Sequence, residues 1–311
     1  VLKNNFGINL TLFKERLGMS FDYFRNTTKD QLMTIPLPAS TGSEDIVVNF
    51  GENQNVGYDF SVAGQVIRSK NWAWTTVING SHVKDRIKQI SDKLKNTAYQ
   101  LEEDNPLKLR FREGGSQYDI YAVRSAGIDP ATGQEIFINK NGEYTFKYDA
   151  ADEVVVGNTQ PKLQGTWLNT LRYKGWSLNF VFSYTFGGDT YNKTLWEKVE
   201  DIDPRYNVDE RAFTDRWKNP GDLSRYLAIK ERRSMTPHNS ERFVERLNEL
   251  WLSSATLTYE FQPKFLKRLG FKRLAVGVGV SDIVRFSTVK YERGTSYPYC
   301  RTINLTFRPT F

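Results

Sequence analysis

Cysteine is nearly missing from this chain. Cys300 stands alone, so no internal disulfide can form and the redox compartment stays open. Histidine is almost as scarce: His82 and His238 lie far apart, a spacing that suits neither a metal centre nor a Ser-His-Asp triad. No run of 18 apolar residues occurs and mean hydropathy is −0.56, which excludes a membrane-spanning helix. That exclusion does not reach a membrane barrel, whose strands are apolar on one face only. Neither sign of charge dominates. The 43 Lys and Arg against 36 Asp and Glu leave +7, spread along 311 residues, and no nucleic-acid surface is expected. Glu102-Glu103 looks like loop charge and not a hydrolase dyad, so no catalytic set emerges and the chain is not expected to be an enzyme. Glu200, Asp201 and Asp203 could ligate Ca²⁺ through oxygens, but without a Gly-spaced loop a solvated acidic stretch explains them more simply. No other metal or cofactor is expected.

What the chain has in excess is aromatic residues, at 14%. They gather in a hairpin from Pro161 to Asn192. Trp176, Leu178, Phe180, Phe182, Tyr184 and Phe186 alternate with Ser177, Asn179, Val181, Ser183, Thr185 and Gly187. Successive strand side chains point to opposite faces, so one face is an apolar ribbon and the other is small and polar. The partner run puts Leu163, Trp167, Leu171 and Tyr173 on one face, and Gln164, Thr166, Thr170 and Arg172 on the other. Lys174-Gly175 is the turn. A soluble sheet with one wet face gives the same alternation. A lipid-facing sheet also accounts for a ribbon of about 11 residues with aromatic residues near its ends, where interfacial girdles fall.

The pattern recurs along the chain. Strands are predicted through Phe6, Ile8, Leu10 and Leu12; Leu17, Met19, Phe21 and Tyr23; Val56, Tyr58, Phe60, Val62 and Val66; and Trp72, Trp74, Thr76 and Ile78. After the hairpin come Trp251, Ala255, Leu257, Tyr259 and Phe261; then Leu274, Val276, Val278 and Val280; and finally Ile303, Leu305 and Phe307 up to Phe311. Between strands, Val83, Ile87, Ile90 and Leu94 sit at helical spacing and predict a short amphipathic piece. Asn141-Gly142 predicts a type I′ hairpin. Asn207 with Glu210 predicts a capping box for a helix presenting Val208, Ala212, Phe213 and Trp217, ended by Pro220-Gly221. Pro263 to Gly270, with Lys264, Lys267 and Arg268, suggests one basic helical turn.

That makes nine strands. Connections are short after the first, third, fifth and seventh. They are longer after the others, at about 26–54, 84–160, 188–246 and 287–296. Outer-membrane barrels sort their loops this way, with short periplasmic turns and long extracellular loops. An odd number cannot close, and open edges in lipid would strand backbone polar groups, so further strands are expected before Val1.

Several segments resemble one family. Gly157-Asn-Thr-Gln-Pro-Lys162, Asn169-Thr170, Tyr173-Lys-Gly-Trp176 and Tyr184-Thr-Phe-Gly-Gly-Asp189-Thr-Tyr-Asn192 are similar to the SusC-like TonB-dependent transporters of Bacteroidota, the SusC/RagA family. So are Tyr23-Phe-Arg-Asn-Thr-Thr-Lys-Asp30 with Pro36-Leu-Pro38 and Thr41-Gly42, Ala126-Gly-Ile-Asp-Pro-Ala-Thr-Gly133, and Arg216-Trp-Lys-Asn-Pro-Gly-Asp222. Phe311 after alternating Ile303, Leu305 and Phe307 resembles a barrel-assembly signal. The likeness spans nearly the whole chain. It implies an all-β, antiparallel transmembrane barrel of about 22 strands. Residues 1–311 would be the last nine of them, the C-terminal portion of one barrel domain. Plug domain, TonB box and earlier strands would lie outside this sequence. It further implies import of an oligosaccharide or peptide, driven through TonB, with a SusD-like lipoprotein over the mouth, in the outer membrane of a Bacteroidota-like Gram-negative cell. Trp251-Leu-Ser-Ser-Ala-Thr-Leu-Thr-Tyr259 departs from the expected Leu-Lys-Asn core, and the last loop is short.

Two other readings stay open: a SusC-like barrel kept as a scaffold in a larger membrane assembly, and a soluble carbohydrate-binding sandwich. Trp72, Trp74, Trp176, Phe180, Phe182, Tyr184 and Phe186 are the expected lipid-facing or girdle residues. Trp196, Tyr206, Trp217 and Tyr226, aromatic residues in outward loops, could stack on sugars or peptide groups. They could equally pack the loops or contact a lid.

Overall fold

In a computed structural model the alternating runs pair into a single antiparallel sheet. Residues 1–36, 42, 45–91, 112–202, 205, 207–229, 239–262, 270–290 and 301–310 are described. The first four strands are β1 (Leu2–Leu12), β2 (Leu17–Pro36), β3 (Asp45–Arg68) and β4 (Trp72–Ile90). Five short ones follow: β5 (Asp119–Ala122), β6 (Arg124–Ile128), β7 (Glu135–Ile138), β8 (Tyr144–Thr145) and β9 (Val154–Asn158). The sheet resumes with β10 (Leu163–Tyr173), β11 (Trp176–Tyr191), β12 (Val244–Glu260), β13 (Arg273–Ser287) and β14 (Thr302–Thr310). The order β1-β2-β3-β4-β10-β11-β12-β13-β14 is open, with β1 and β14 as edges. The short strands form a β5-β9 pair and a β6-β7-β8 sheet beside it.

Register turns sequence alternation into two chemically distinct faces. One row joins Leu10, Met19, Val62, Ile78, Trp167 and Phe182 across six strands. A lower row runs Leu171, Leu178, Leu257, Val278 and Leu305. On the opposite face, Asn9, Ser20, Ser61, Asn79, Thr166 and Ser183 make a polar row at matching height. The apolar face is open: Phe6, Phe21, Trp176 and Phe307 are all exposed. Fully buried apolar side chains such as Phe50, Ile87, Val123 and Val199 belong to the loops and the strand ends beneath them. A water-soluble sandwich would show the reverse, with the ribbon covered by a second layer. Ten residues separate Trp176 from Phe186. At about 3.3 Å per residue and a barrel tilt of about 40°, the ribbon stands about 25 Å tall, the height of a barrel's lipid-facing band.

Aromatic residues collect at the two margins of this band. Trp72 packs tilted against Tyr173 with centroids 4.3 Å apart, and Trp176 against Tyr259 at 4.7 Å, at the tight-turn margin. Phe21, Tyr58 and His82 line up at the other. Among the described residues two polar side chains interrupt the middle of the apolar band, and each receives a bond from an indole. The Trp74 Nε1–H donates to Asn169 Oδ1 at 3.1 Å, and the Trp167 Nε1–H to Thr76 Oγ1 at 2.8 Å. In hydrocarbon an unmet polar group costs several kcal/mol, and these bonds meet the Asn169 Oδ1 and the Thr76 hydroxyl.

Connections 13–16, 69–71, 174–175 and 261–272 leave one rim, and 37–44, 91–162, 192–243 and 288–301 the other. The two largest excursions share a rim. At β2–β3 and β12–β13 the contrast in length between rims vanishes.

Several elements differ from their sequence signals. β2 and β3 run through most of 26–54, around a bulge where Asp30 takes φ 52° and accepts from Asn49 Nδ2 at 2.9 Å. Val83 to Ile90 is strand, not helix. Asp85 and Ile87 turn inward and are buried, while Lys84, Arg86 and Lys88 point out. Val83 and Ile87 are four apart, a spacing both periods allow. The helix expected after Asn207 shrinks to Arg211–Thr214, capped at Glu210 with no side-chain bond. The Arg216 guanidinium takes the Ala212 carbonyl at 3.0 Å and closes the turn, leaving Phe213 exposed while Ala212 and Trp217 are buried. The alternation predicts Trp251 on the apolar face, but a bulge at Ser253 reverses it and pairs Trp251 with Ser183 on the polar face. The Asn141-Gly142 hairpin is present, with Gly142 at φ 86° between β7 and β8. Pro38, Thr41, Leu94, Glu102, Glu103, Asp203, Tyr206, His238, Lys264, Lys267, Arg268, Cys300 and Phe311 lie outside the described residues.

Candidate functional site: the loop body over the barrel wall

The two long excursions meet and build one body on the rim, and four of the segments that carried the family resemblance, 126–133, 157–162, 184–192 and 216–222, supply contacts in it. Gly157 to Lys162 returns the chain to the wall along the Gly187-Gly188-Asp189 corner of β11. Asp189 accepts from the Asn158 backbone N–H at 2.9 Å and from Arg246 Nη1 at 3.1 Å. Gly187 takes φ 81°, and a Cβ there would press on the Lys162 stem at 3.0 Å. The corner therefore needs glycine both for its backbone and for the closeness of the returning chain. Asp85 anchors the same insert from β4, accepting from Asn53 Nδ2 at 2.6 Å, Gln117 N–H at 2.7 Å and Ser116 Oγ at 3.1 Å.

A second junction locks one excursion to the other. The Trp217 indole donates to the Pro130 carbonyl at 2.8 Å, and the Gly221 N–H reaches that same oxygen at 2.8 Å. Gly133, at φ 75°, lies under the ring, and a Cβ would meet it at 2.5 Å. Each partner loop is stiffened by its own aspartate. Asp129 accepts from the Thr132 hydroxyl and the Ala131 and Thr132 amides, and these bonds lower its pKa. Asp222 does the same with Asn219 and Lys218.

Beneath lies a buried ionic knot. Arg242 Nη2 sits 2.8 Å from both Glu135 Oε2 and Glu200 Oε1, and Arg242 Nη1 donates to the Arg225 carbonyl at 2.8 Å. The Ser240 hydroxyl donates to Glu135. Burial works against the Arg242 charge, but hydrogen bonds and charge from Glu135 and Glu200 outweigh it and push its pKa up. Arg216 Nη2 takes the Val199 and Glu200 carbonyls at 2.5 and 2.7 Å, and Nη1 that of Leu227 at 2.9 Å. Leu195, Val199, Ile202, Ala212, Tyr226 and Phe243 pack alongside as the apolar core of the body.

These contacts settle where the loop aromatics stand. Trp217 and Tyr226 are buried inside the body, and Trp196 is half-buried against its core. Of the acidic trio at 200–203, Glu200 is committed to Arg242 and the Leu227 amide, and Asp201 is exposed. The polar wall carries a group the sequence reading missed. Trp251 lies under the Arg285 guanidinium at 4.6 Å, and Arg285 Nε is 3.0 Å from Glu249 Oε1. Only the Ser253 bulge, which periodicity does not show, reveals that this tryptophan faces the interior.

A barrel wall with a lipid-facing band, a polar lining and a loop body on one rim has known counterparts. No family model matches the chain. TonB-dependent receptor P39 of Formosa agariphila is 27% identical over 92% of this chain and 31% of its own length. Receptor P3 of that organism is 26% identical over 90% and 29%. This chain is thus similar to one segment of TonB-dependent receptors. The fold agrees: the RagAB peptide transporter superimposes with a TM-score of 0.76 at 20% identity, over 92% of this chain and 32% of that one. The RagAB peptide importer in its 'open-open' state gives 0.74 over 93% and 31%. The segment spans about a third of the length of the curated relatives it matches. The open nine-stranded sheet is accordingly part of a larger transmembrane barrel.

Proposed function

We propose that the receptor carrying this segment imports a nutrient, an oligosaccharide or a peptide, across the outer membrane. Energy would come through TonB and a SusD-like surface lipoprotein would close over the loop body. The observation that carries this reading is the pairing of a polar lumen wall with a loop body knit into one unit on a single rim. Such a body offers a stable outward face to a lid, while Trp251, Arg285 and Glu249 offer the lumen an aromatic face and both charges. The names of the receptor relatives and of the transporter structures support import, and the peptide in those titles weighs for that substrate class. The test is uptake of labelled oligopeptides and oligosaccharides by cells with and without the receptor, and with and without TonB. Uptake of one class that needs both proteins, with a surface lipoprotein co-purifying, is the expected result. Uptake indifferent to the receptor's loss would overturn it.

A further inference from the structure

The outer face of the sheet does not turn neutral where the apolar band ends on the long-loop side. We infer that this margin is a binding surface for phosphate-bearing anionic lipid headgroups of the leaflet on that side. Tyr23, Tyr58 and His82 sit in register as the last aromatic row of β2, β3 and β4. One step further out on the same face, Arg25 and Lys84 flank Val56 in register. Arg86 and Lys88 continue the outward positions of β4, exposed, while the intervening Asp85 and Ile87 are buried inward.

Four cations thus stand on the outer face directly above an aromatic rim. Among the described residues none of the four is in an ion pair with an acidic side chain, whereas the neighbouring Lys29 pairs with Glu52 at 3.8 Å. A water-facing surface would be expected to intersperse acids among so many cations. Lys and Arg stems can lie along apolar surface while their charged heads reach the interface, and cations there attract anionic headgroups. The apolar band, rim and cations are continuous, so acyl chain and headgroup of one lipid can be met together.

The test uses the intact receptor in phosphatidylcholine nanodiscs doped with phosphatidylglycerol, with retained lipid counted by native mass spectrometry. The expected result is enrichment of phosphatidylglycerol over its bulk fraction, falling as ionic strength rises. The variant Lys84→Gln/Arg86→Gln/Lys88→Gln should lose it by roughly five-fold per cation removed. The matched variant Lys140→Gln/Lys147→Gln/Lys218→Gln, on the loop body, should retain it. An unchanged count in the first variant, or an equal loss in the second, overturns the inference. So does displacement by inorganic phosphate beyond that caused by chloride at equal ionic strength, which would mark a free-anion site. Should the first variant fail to insert, the wild-type receptor still decides, since no enrichment there refutes the proposal.

Discussion

Replacing Arg242 by methionine isolates the contribution of the ionic knot. The substitution keeps the stem but strands two carboxylates, Glu135 and Glu200, whose side chains are 4% and 5% exposed. It also removes the donor to the Arg225 carbonyl. Breaking a buried ion pair by removing one partner costs about 3–5 kcal/mol, because the charge left behind has neither water nor a counter-ion. That corresponds to roughly a hundred- to several-thousand-fold rise in the local opening equilibrium. The cost falls on the body, since β10 and β11 hold their register without it. Hydrogen exchange followed by mass spectrometry on the intact receptor reads this directly. Amides of Val123, Leu227 and Glu241, which bond across the body, should lose protection by at least two orders of magnitude. Peptides of 163–186 should not change. Arg242→Lys keeps the charge but not the fork and should fall between. Unchanged protection in the body, or equal loss in body and wall, would refute this assignment of the knot.

Trp217→Ala removes a buried ring and its bond to Pro130, costing about 3–5 kcal/mol; limited proteolysis should then cut within 112–162 and 207–229 while the wall stays whole. Leu178→Arg places a charge in the apolar band and should cost about 2–4 kcal/mol in urea unfolding from vesicles, against a small effect for Asn179→Arg one residue on. Arg211 holds the Asp209 carboxyl at about 2, below the usual 3.8. A depressed folded-state pKa stabilises above the unfolded value, so this contribution, at most about 2 kcal/mol, should persist above pH 4 and fade as pH drops toward 2. Exchange of amides 209–215 against pH should show that loss, and Asp209→Asn should abolish it.

The barrel wall was legible in the sequence because lipid imposes a strict two-residue period, as in Trp176 to Phe186. Its interruptions were not. The Ser253 bulge inverts Trp251 without altering residue types nearby, and the Asp30 bulge lets β2 continue past an apparent loop start. Val83 to Ile90 was ambiguous because residues four apart suit both periods, and only the insert packed on Asp85 and Ile87 decides it. In the loops, short-range signals worked where one turn suffices, as at Asn141-Gly142. They failed where a distant group sets the outcome: Arg216 closes the helix that the Asn207 signal would have lengthened. The contact between Trp217 and the Pro130 carbonyl was not legible in the sequence, because the two lie 87 positions apart.

Placement in a membrane turns on which side of the sheet meets lipid. Site-directed spin labels at Leu178, Asn179, Phe180, Val181, Phe182 and Ser183, one at a time in the intact receptor with Cys300→Ser, measure this in a bilayer. Accessibility to oxygen should peak at 178, 180 and 182, and accessibility to a water-soluble nickel chelate should peak at 179, 181 and 183. Chelate access at the Leu178, Phe180 and Phe182 positions, or no alternation at all, would contradict the placement of this sheet in a membrane.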